Sequence, residues 1–451
     1  MRRIKAAFAG FGEINTPREI IEKKCLDAKK LVEAKNIELI YIEPVSDDPE
    51  GKDVQRAIKD LSKEEFDFII FCIAGWIPSH AVISVANVFA HKPMLLWGLT
   101  GYYEDNVLIT TADQAGTSAL RKAFEDLGYK FKYIYNCIDS PPKIDKVEDF
   151  GKVCRAIALL KHSKLGMMGF RDMNLYTTLY DGMSLRKKIG PEVEVFEMLE
   201  IVQIVRRLNQ KAIQEVVEAV RKKWTFEKPA SDDLLEKGVQ FYLAIKEKIE
   251  ERNYQAISLL DVDGMKKLLQ FPPAMIFMLL ADQEHVTAIP ENDVLGAVTQ
   301  LIVKYLTEQI GAYMEFYEFM EDRLLIGVPD FVPSEVVEGP VRVSPTQFGE
   351  LSEGILNVSK VKTGKITLCR LTSTGDKYRM HILTGEAVSP RKWEEAGWEP
   401  PAPQLPSLEV IPDTPVEEFA NNVMSQHYII CYGDHRSKLN DFCNLLDIEI
   451  I

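Results

Sequence analysis

The sequence lacks what would place it outside the cell, in a membrane or on a nucleic acid. It holds seven cysteines, at positions 25, 72, 137, 154, 369, 431 and 443, and no two of them form a CxxC pair. Scattered thiols in odd number build neither a disulfide framework nor a zinc ribbon, and they fit reduced, buried side chains. Basic residues are outnumbered: 54 Lys and Arg stand against 68 Asp and Glu, a formal net charge of −14. A nucleic-acid partner calls for a basic face, so none is expected. No apolar run approaches the length of a membrane span. The opening MRRIKAAFAGFGEIN has its apolar run cut by glycines and an acid, unlike a signal peptide. The expectation is a cytoplasmic protein with no membrane partner.

What is present is an ordinary globular composition, 46% hydrophobic and 27% charged over 451 residues, enough for two or three cores. Residues 1–163 alternate strand and helix, with strands expected at Ile4–Gly10, Ile37–Glu43, Phe66–Ala74 and Pro93–Gly98. Buried apolar strands between amphipathic helices predict a parallel sheet covered on both faces. Gly10 and Gly12 follow the first strand, but the third glycine of a dinucleotide fingerprint is missing. The loop AGWIPSHAV after the third strand lies where open α/β sheets bind ligands, which makes Trp76 and His80 candidates for contact with a substrate. The plainer reading has Ser79 capping a helix and Trp76 as a packing lid. A second alternating run fills 164–330, with one helix expected over 199–223 and strand Ala256–Leu260 leading to Asp261 and Asp263. Residues 331–451 turn β-rich, with a hairpin about Thr374–Gly375–Asp376. A proline-rich loop through Pro400, Pro401, Pro403, Pro406, Pro412 and Pro415 reads as a surface or interface arm.

The stretch Pro290–Phe319 carries the chemistry. Pro290 before Glu291, Asn292 and Asp293 is a helix-start pattern, and helical spacing puts Glu291 on the face of Leu295, Val298 and Ile302. After Gly311 the period becomes two, which sets Tyr313, Glu315, Tyr317 and Phe319 on one side of a strand and Glu318 on the other. Two carboxylates in apolar elements need a cation or hydrogen bonds, and two close together invite a metal. The bland alternatives are a helix-dipole partner at Glu291 and an edge or lysine-paired acid at Glu315.

The run Glu-Asn-Asp-x-Leu-x-x-Val-Thr from Glu291, with an acid 24 positions on (315 − 291), resembles the metal segment of L-fucose isomerases. YMEFYEF and EDRLLIGVPDFVP are closer to the matching segment of L-arabinose isomerases. The chain is identified by this resemblance as a member of the L-fucose/L-arabinose isomerase superfamily. The resemblance implies two Rossmann-like parallel-sheet α/β domains followed by a β-barrel-like C-terminal domain. It puts metal-binding carboxylates at Glu291 and Glu315 and a metal histidine at His427, with Gln426 where a preceding histidine would stand. It also implies that Trp76 reaches a sugar, and it implies a homotrimer or homohexamer. A second metal histidine of arabinose isomerases would fall near Pro329, and no histidine lies between His285 and His381.

Two carboxylates and an imidazole suit a hard or borderline divalent cation, Mn²⁺ first with Mg²⁺ or Co²⁺ behind. The implied reaction is aldose–ketose isomerisation of a monosaccharide through a cis-enediolate. Glu291 is then the base at C2, and Glu315 is its acid/base partner. Two other classes stay open: a sugar-binding or regulatory relative without turnover, and a nucleotide- or phosphate-dependent enzyme hinted at only by Gly10 and Gly12.

Overall fold

The computed structural model describes residues 2–328, 331–347, 351–390 and 406–451. Pro329 and the prolines at 400, 401 and 403 lie outside them, so the arm expected there is not described. The chain divides into two compact units, Met1–Ala158 with Asn440–Leu445, and Leu159–Leu439 with Leu446–Ile451.

The first unit is built on strands β1 (Ile4–Phe11), β2 (Ile37–Tyr41), β3 (Phe68–Ile73) and β4 (Met94–Gly98). A small hairpin of β5 (Tyr102–Glu104) and β6 (Val107–Ile109) follows, and β7 (Phe131–Tyr135) completes the set. The five long strands form a parallel sheet in the order β2-β1-β3-β4-β7. Every residue of β3, FIIFCI, is buried, as a strand covered by helices on both faces requires. The two early glycines have a packing cause. A Cβ at Gly10 would stand 2.3 Å from Cys25 Sγ, and one at Gly12 would stand 2.4 Å from Ile21 Cδ1. Both contacts come from the helix Arg18–Glu33, which lies against β1.

The second unit opens with β8 (Lys164–Met168) and β9 (Glu192–Phe196). Short β10 (Thr225–Phe226) is followed by β11 (Ala256–Leu259) and β12 (Thr287–Ile289). Strands β12-β11-β8-β9 make a second parallel sheet. The single helix expected over 199–223 is two, Met198–Val205 and Gln210–Lys223. The break is at Asn209, whose side chain accepts from the Lys211 amide; an asparagine that caps a new helix ends the old one.

Strands β13 (Ala312–Phe319), β14 (Leu324–Gly327), β15 (Arg342–Gln347), β16 (Glu353–Asn357), β17 (Gly364–Thr374), β18 (Lys377–Val388), β19 (Ser407–Pro412), β20 (His427–Tyr432) and β21 (Glu449–Ile450) complete the unit. Six of them run β17-β20-β13-β14-β19-β18, and β18 pairs back to β17, so the sheet closes into an antiparallel barrel. Closure leaves none of the six with an open edge. The barrel takes β13 and β14 from upstream of 331 and its other strands from downstream. Strands β10, β15 and β16 form a small separate sheet. The architecture is thus α/β with two parallel sheets and a β-barrel in the C-terminal region. Among the described residues no helix is long and apolar enough to cross a membrane.

Gly311 joins the helix Val294–Thr307 to β13 at φ +74°, and a Cβ there would lie 2.9 Å from Ile429 Cγ2 and 3.0 Å from the Ile430 carbonyl. Left-handed backbone and contact with a neighbouring strand exclude a side chain together. Gly311→Ala is expected to cost about 2 kcal/mol. The check is a lowered denaturant midpoint at unchanged slope; an unchanged midpoint would mean that β13 moves aside freely.

Candidate active site

Glu291 lies just beyond β12, between the second parallel sheet and the helix Val294–Thr307. It is not on the helical face that its spacing suggested. The helix begins at Val294 with Asp293 as N-cap, and Glu291 and Asn292 sit outside it at φ +65° and +52°. Two successive non-glycine residues in the left-handed region cost about 1–3 kcal/mol each and need anchoring. Asn292 supplies the anchor: its amide N–H donates to the Leu259 carbonyl and its side chain to the Met168 carbonyl. The turn is pinned to the C-terminal ends of β8 and β11, where open α/β sheets present their ligand sites.

Glu315 and His427 come from the barrel. Strands β13 and β20 are antiparallel neighbours, and Glu315 is the direct cross-strand partner of His427. Directly opposed side chains share a face. The aromatic side of β13 extends less far than period two implies. A bulge lies between Phe316, opposite Ile326, and Glu318, opposite Leu325. Past it Phe319 joins the face of Phe316, their rings 5.4 Å apart, and leaves that of Glu315.

The three side chains meet at the imidazole. His427 Nδ1 lies 3.6 Å from Glu291 Oε2, and Nε2 lies 3.6 Å from Glu315 Oε2. The Gln426 side-chain amide donates to Glu291 Oε2 at 3.3 Å. Burial pushes the Glu291 carboxyl up to about 9, and the carboxylates of Asp261, Asp293, Glu315 and Asp172 push the same way. Burial pulls the His427 imidazole down to about 3. Both groups are neutral near pH 7, so their contact is not an ion pair. The donor types suit a divalent cation: two carboxyl groups and a neutral imidazole nitrogen, with the charges of Asp261, Asp293 and Asp172 acting on Glu291. The imidazole lies between the carboxylates. Among the described residues no group of three or more His, Cys, Asp or Glu side chains is gathered tightly enough to hold an ion.

Several further groups around this centre are given no role by motif or spacing. Asp293 and Arg370 form a fully buried pair, with Arg370 Nη2 to Asp293 Oδ1 at 2.8 Å and Nη1 also donating to Oδ2. Burial would raise the Asp293 carboxyl, and Arg370 reverses this and holds it below the usual range. The Tyr313 hydroxyl donates to Asp293 Oδ2 at 2.8 Å, and its ring stacks on His427 with centroids 4.2 Å apart. A lone arginine inside ITLCRL was the available cue for Arg370. The turn after β11 is capped by Asp172, which accepts from the Val262 and Asp263 amides, and not by Asp261. Asp261 is buried against Lys266 at 2.9 Å.

Trp76 and His80 belong to the first unit and Glu291, Glu315 and His427 to the second. Trp76 is 41% exposed, and its backbone bridges the Glu13 amide and the Thr111 carbonyl. His80 is exposed. The helix there starts at Ser79 on Pro78, with no side-chain cap from Ser79. His435 is half-buried with Nε2 2.9 Å from the Tyr432 carbonyl.

Comparison with known proteins reaches the C-terminal region. Residues 356–451 match the family model of the L-fucose isomerase C-terminal domain, a stretch that includes Arg370 and His427. Over this region the chain is fucose isomerase-like. No curated protein matches the chain in sequence. Among solved structures it is similar to an ABC transporter periplasmic solute binding protein from Actinobacillus succinogenes 130z with bound D-allose. Identity there is 13%, over 68% of this chain and 93% of that one, with a TM-score of 0.17. A likeness that weak carries no argument.

The raised Glu291 carboxyl has a consequence for metal-free protein. The folded state keeps a proton that the unfolded chain releases above its ordinary value of 4.5, so the wild type loses stability as pH climbs from there towards 9. Glu291→Gln is neutral throughout and lacks that loss. The melting temperature of chelated Glu291→Gln is expected to rise above that of the wild type by a margin that widens from pH 5 to pH 9. Parallel melting curves across that range would place the carboxyl in water.

Proposed function

We propose that the second unit houses a metal-assisted aldose–ketose isomerase acting on a monosaccharide in its open-chain form. The observation that carries this is the imidazole of His427 flanked at 3.6 Å by Glu291 on one nitrogen and by Glu315 on the other. The fucose isomerase-like C-terminal residues support it. Glu291, Glu315 and His427 would hold a divalent cation, Mn²⁺ first and Mg²⁺ or Co²⁺ next. When bound, such an ion polarises neighbouring carbonyl and hydroxyl oxygens of a sugar and so acidifies the C–H between them. Glu291 takes the proton from C2 and delivers it to C1. Glu315, more open to solvent, moves the proton between the two hydroxyls. On the resemblance Trp76 is a contact to the sugar of a neighbouring subunit in a homotrimer or homohexamer, and His80 is a candidate contact from its place in the loop after the third strand alone. The seven free cysteines fit the cytoplasmic location expected of the chain.

A sugar-binding relative without turnover is the second reading, favoured by the absence of a gathered three-ligand cluster among the described residues. The deciding assay is ketose formation from a panel of aldoses on chelated protein, with and without Mn²⁺. The expected outcome is turnover only with metal, falling by about 100-fold or more in Glu291→Gln and lost in His427→Ala. Saturable aldose binding with no ketose under any metal would instead establish the binding protein.

Metal uptake carries its own signature. An ion must displace the Glu291 proton, so Mn²⁺ affinity is expected to climb by roughly tenfold per pH unit below about 9. Titration calorimetry in buffers of different ionisation heat reads the proton released. Uptake without proton release would remove Glu291 from the ligand set.

A further inference from the structure

A ligating histidine is ordinarily oriented through its second ring nitrogen, which donates to a carbonyl or carboxylate. His427 has both nitrogens turned towards site carboxylates. What fixes its ring is therefore sought on the ring face, where Tyr313 lies nearly parallel, with 15° between the planes. Tyr313 is fully buried and is held at its far end, its hydroxyl donating to Asp293. Asp293 in turn accepts from the Gly296 amide at 2.9 Å and from both terminal nitrogens of Arg370. A continuous chain runs from β17 through Arg370, Asp293 and Tyr313 to the imidazole.

We propose that Tyr313, backed by the Asp293–Arg370 pair, is a positioning residue that sets the plane of the His427 ring between Glu291 and Glu315. This rests on the reading of His427 as a site ligand and goes beyond it by naming what orients that ligand. Asp293 stands two residues after Glu291, so the same pair anchors the turn that carries the first carboxylate. Gly296 belongs to the arrangement: a Cβ there would meet Asp293 Oδ2 at 2.5 Å and Arg370 Nη1 at 2.8 Å. The pair approaches the helix so closely that only glycine leaves it room.

The test uses the full-length protein labelled with ¹³C at histidine Cε1. Seven histidines give seven ring signals, and His427→Gln assigns the one of interest. Tyr313→Leu removes the stacking face, Tyr313→Phe keeps it and loses only the hydroxyl, and Gly296→Ala disturbs the pair from the other end. In Tyr313→Leu the His427 signal is expected to shift or broaden while the other six stay in place, and Mn²⁺ affinity falls by about 10- to 100-fold. Tyr313→Phe restores the signal close to its wild-type position and the affinity to within about threefold. Gly296→Ala moves the His427 signal in the sense of Tyr313→Leu, which keeps the test standing if the leucine variant does not fold. A His427 signal that stays put in folded Tyr313→Leu, or in Gly296→Ala, overturns the positioning role. Absence of Mn²⁺ binding in the wild type would count against the metal reading alone, because the ring signals report orientation without any metal.

Discussion

The Asp293–Arg370 pair is the interaction on which the rest of the second unit depends. Both side chains are 1% exposed, so each charge has left water and the partner supplies the opposite charge. Such a pair adds little net stability, but removing one member strands the other at about 3–5 kcal/mol. The carboxylate is fully used. One oxygen accepts from Gly296 and Arg370, and the other from Tyr313 and Arg370. Four donors keep the group ionised in the core and tie together the helix start, β13 and β17. Helix, sheet turn and barrel are thereby fixed at one point.

The same pair explains why two carboxyls so close in sequence behave differently. Asp293 has a guanidinium and stays charged. Glu291, two residues earlier and 13% exposed at its side chain, has an amide from Gln426 and a ring of other acids, and it holds its proton. Neighbouring groups driven apart in this way supply one fixed charge and one exchangeable proton, which is the division that acid–base chemistry needs. Arg370 cannot serve both, because its terminal nitrogens are committed to Asp293. Without a guanidinium of its own, Glu291 meets its burial by staying protonated.

The alternation of the first unit was legible because fully buried parallel strands read as apolar runs, as FIIFCI does, and helices as 3.6-residue stripes. The cross-strand neighbourhood of Glu315 was partly legible, since strict period two holds from Tyr313 to Glu315. It stops at the bulge near Phe316, which depends on how β14 pairs and leaves no local trace. Glu291 was singled out by residue type and misplaced in geometry, because helix-start residues said nothing of a left-handed turn pinned by the carbonyls of Met168 and Leu259. Those anchors lie 124 and 33 residues away (292 − 168 and 292 − 259), a tertiary decision that no window of sequence contains. Arg370 was hidden for a related reason. In an open sheet its side of β17 could face water, and only closure of the barrel buries it.

Barrel closure also decides how far the family match reaches. Residues 356–451 contain His427 and Arg370 but neither Glu291 nor Glu315. What joins the two sets is register: Glu315 stands opposite His427, and Ala312 opposite Ile430, along one antiparallel ladder. A slip of one residue would turn Glu315 to the other face and leave the imidazole beside Met314 or Phe316. The left-handed Gly311 and the close fit of that residue against Ile429 and Ile430 hold the start of β13 against such a slip. The pairing of β13 with β20 therefore reaches outside the matched domain. Glu315, an acid outside the matched residues, is brought beside their histidine by strand register alone.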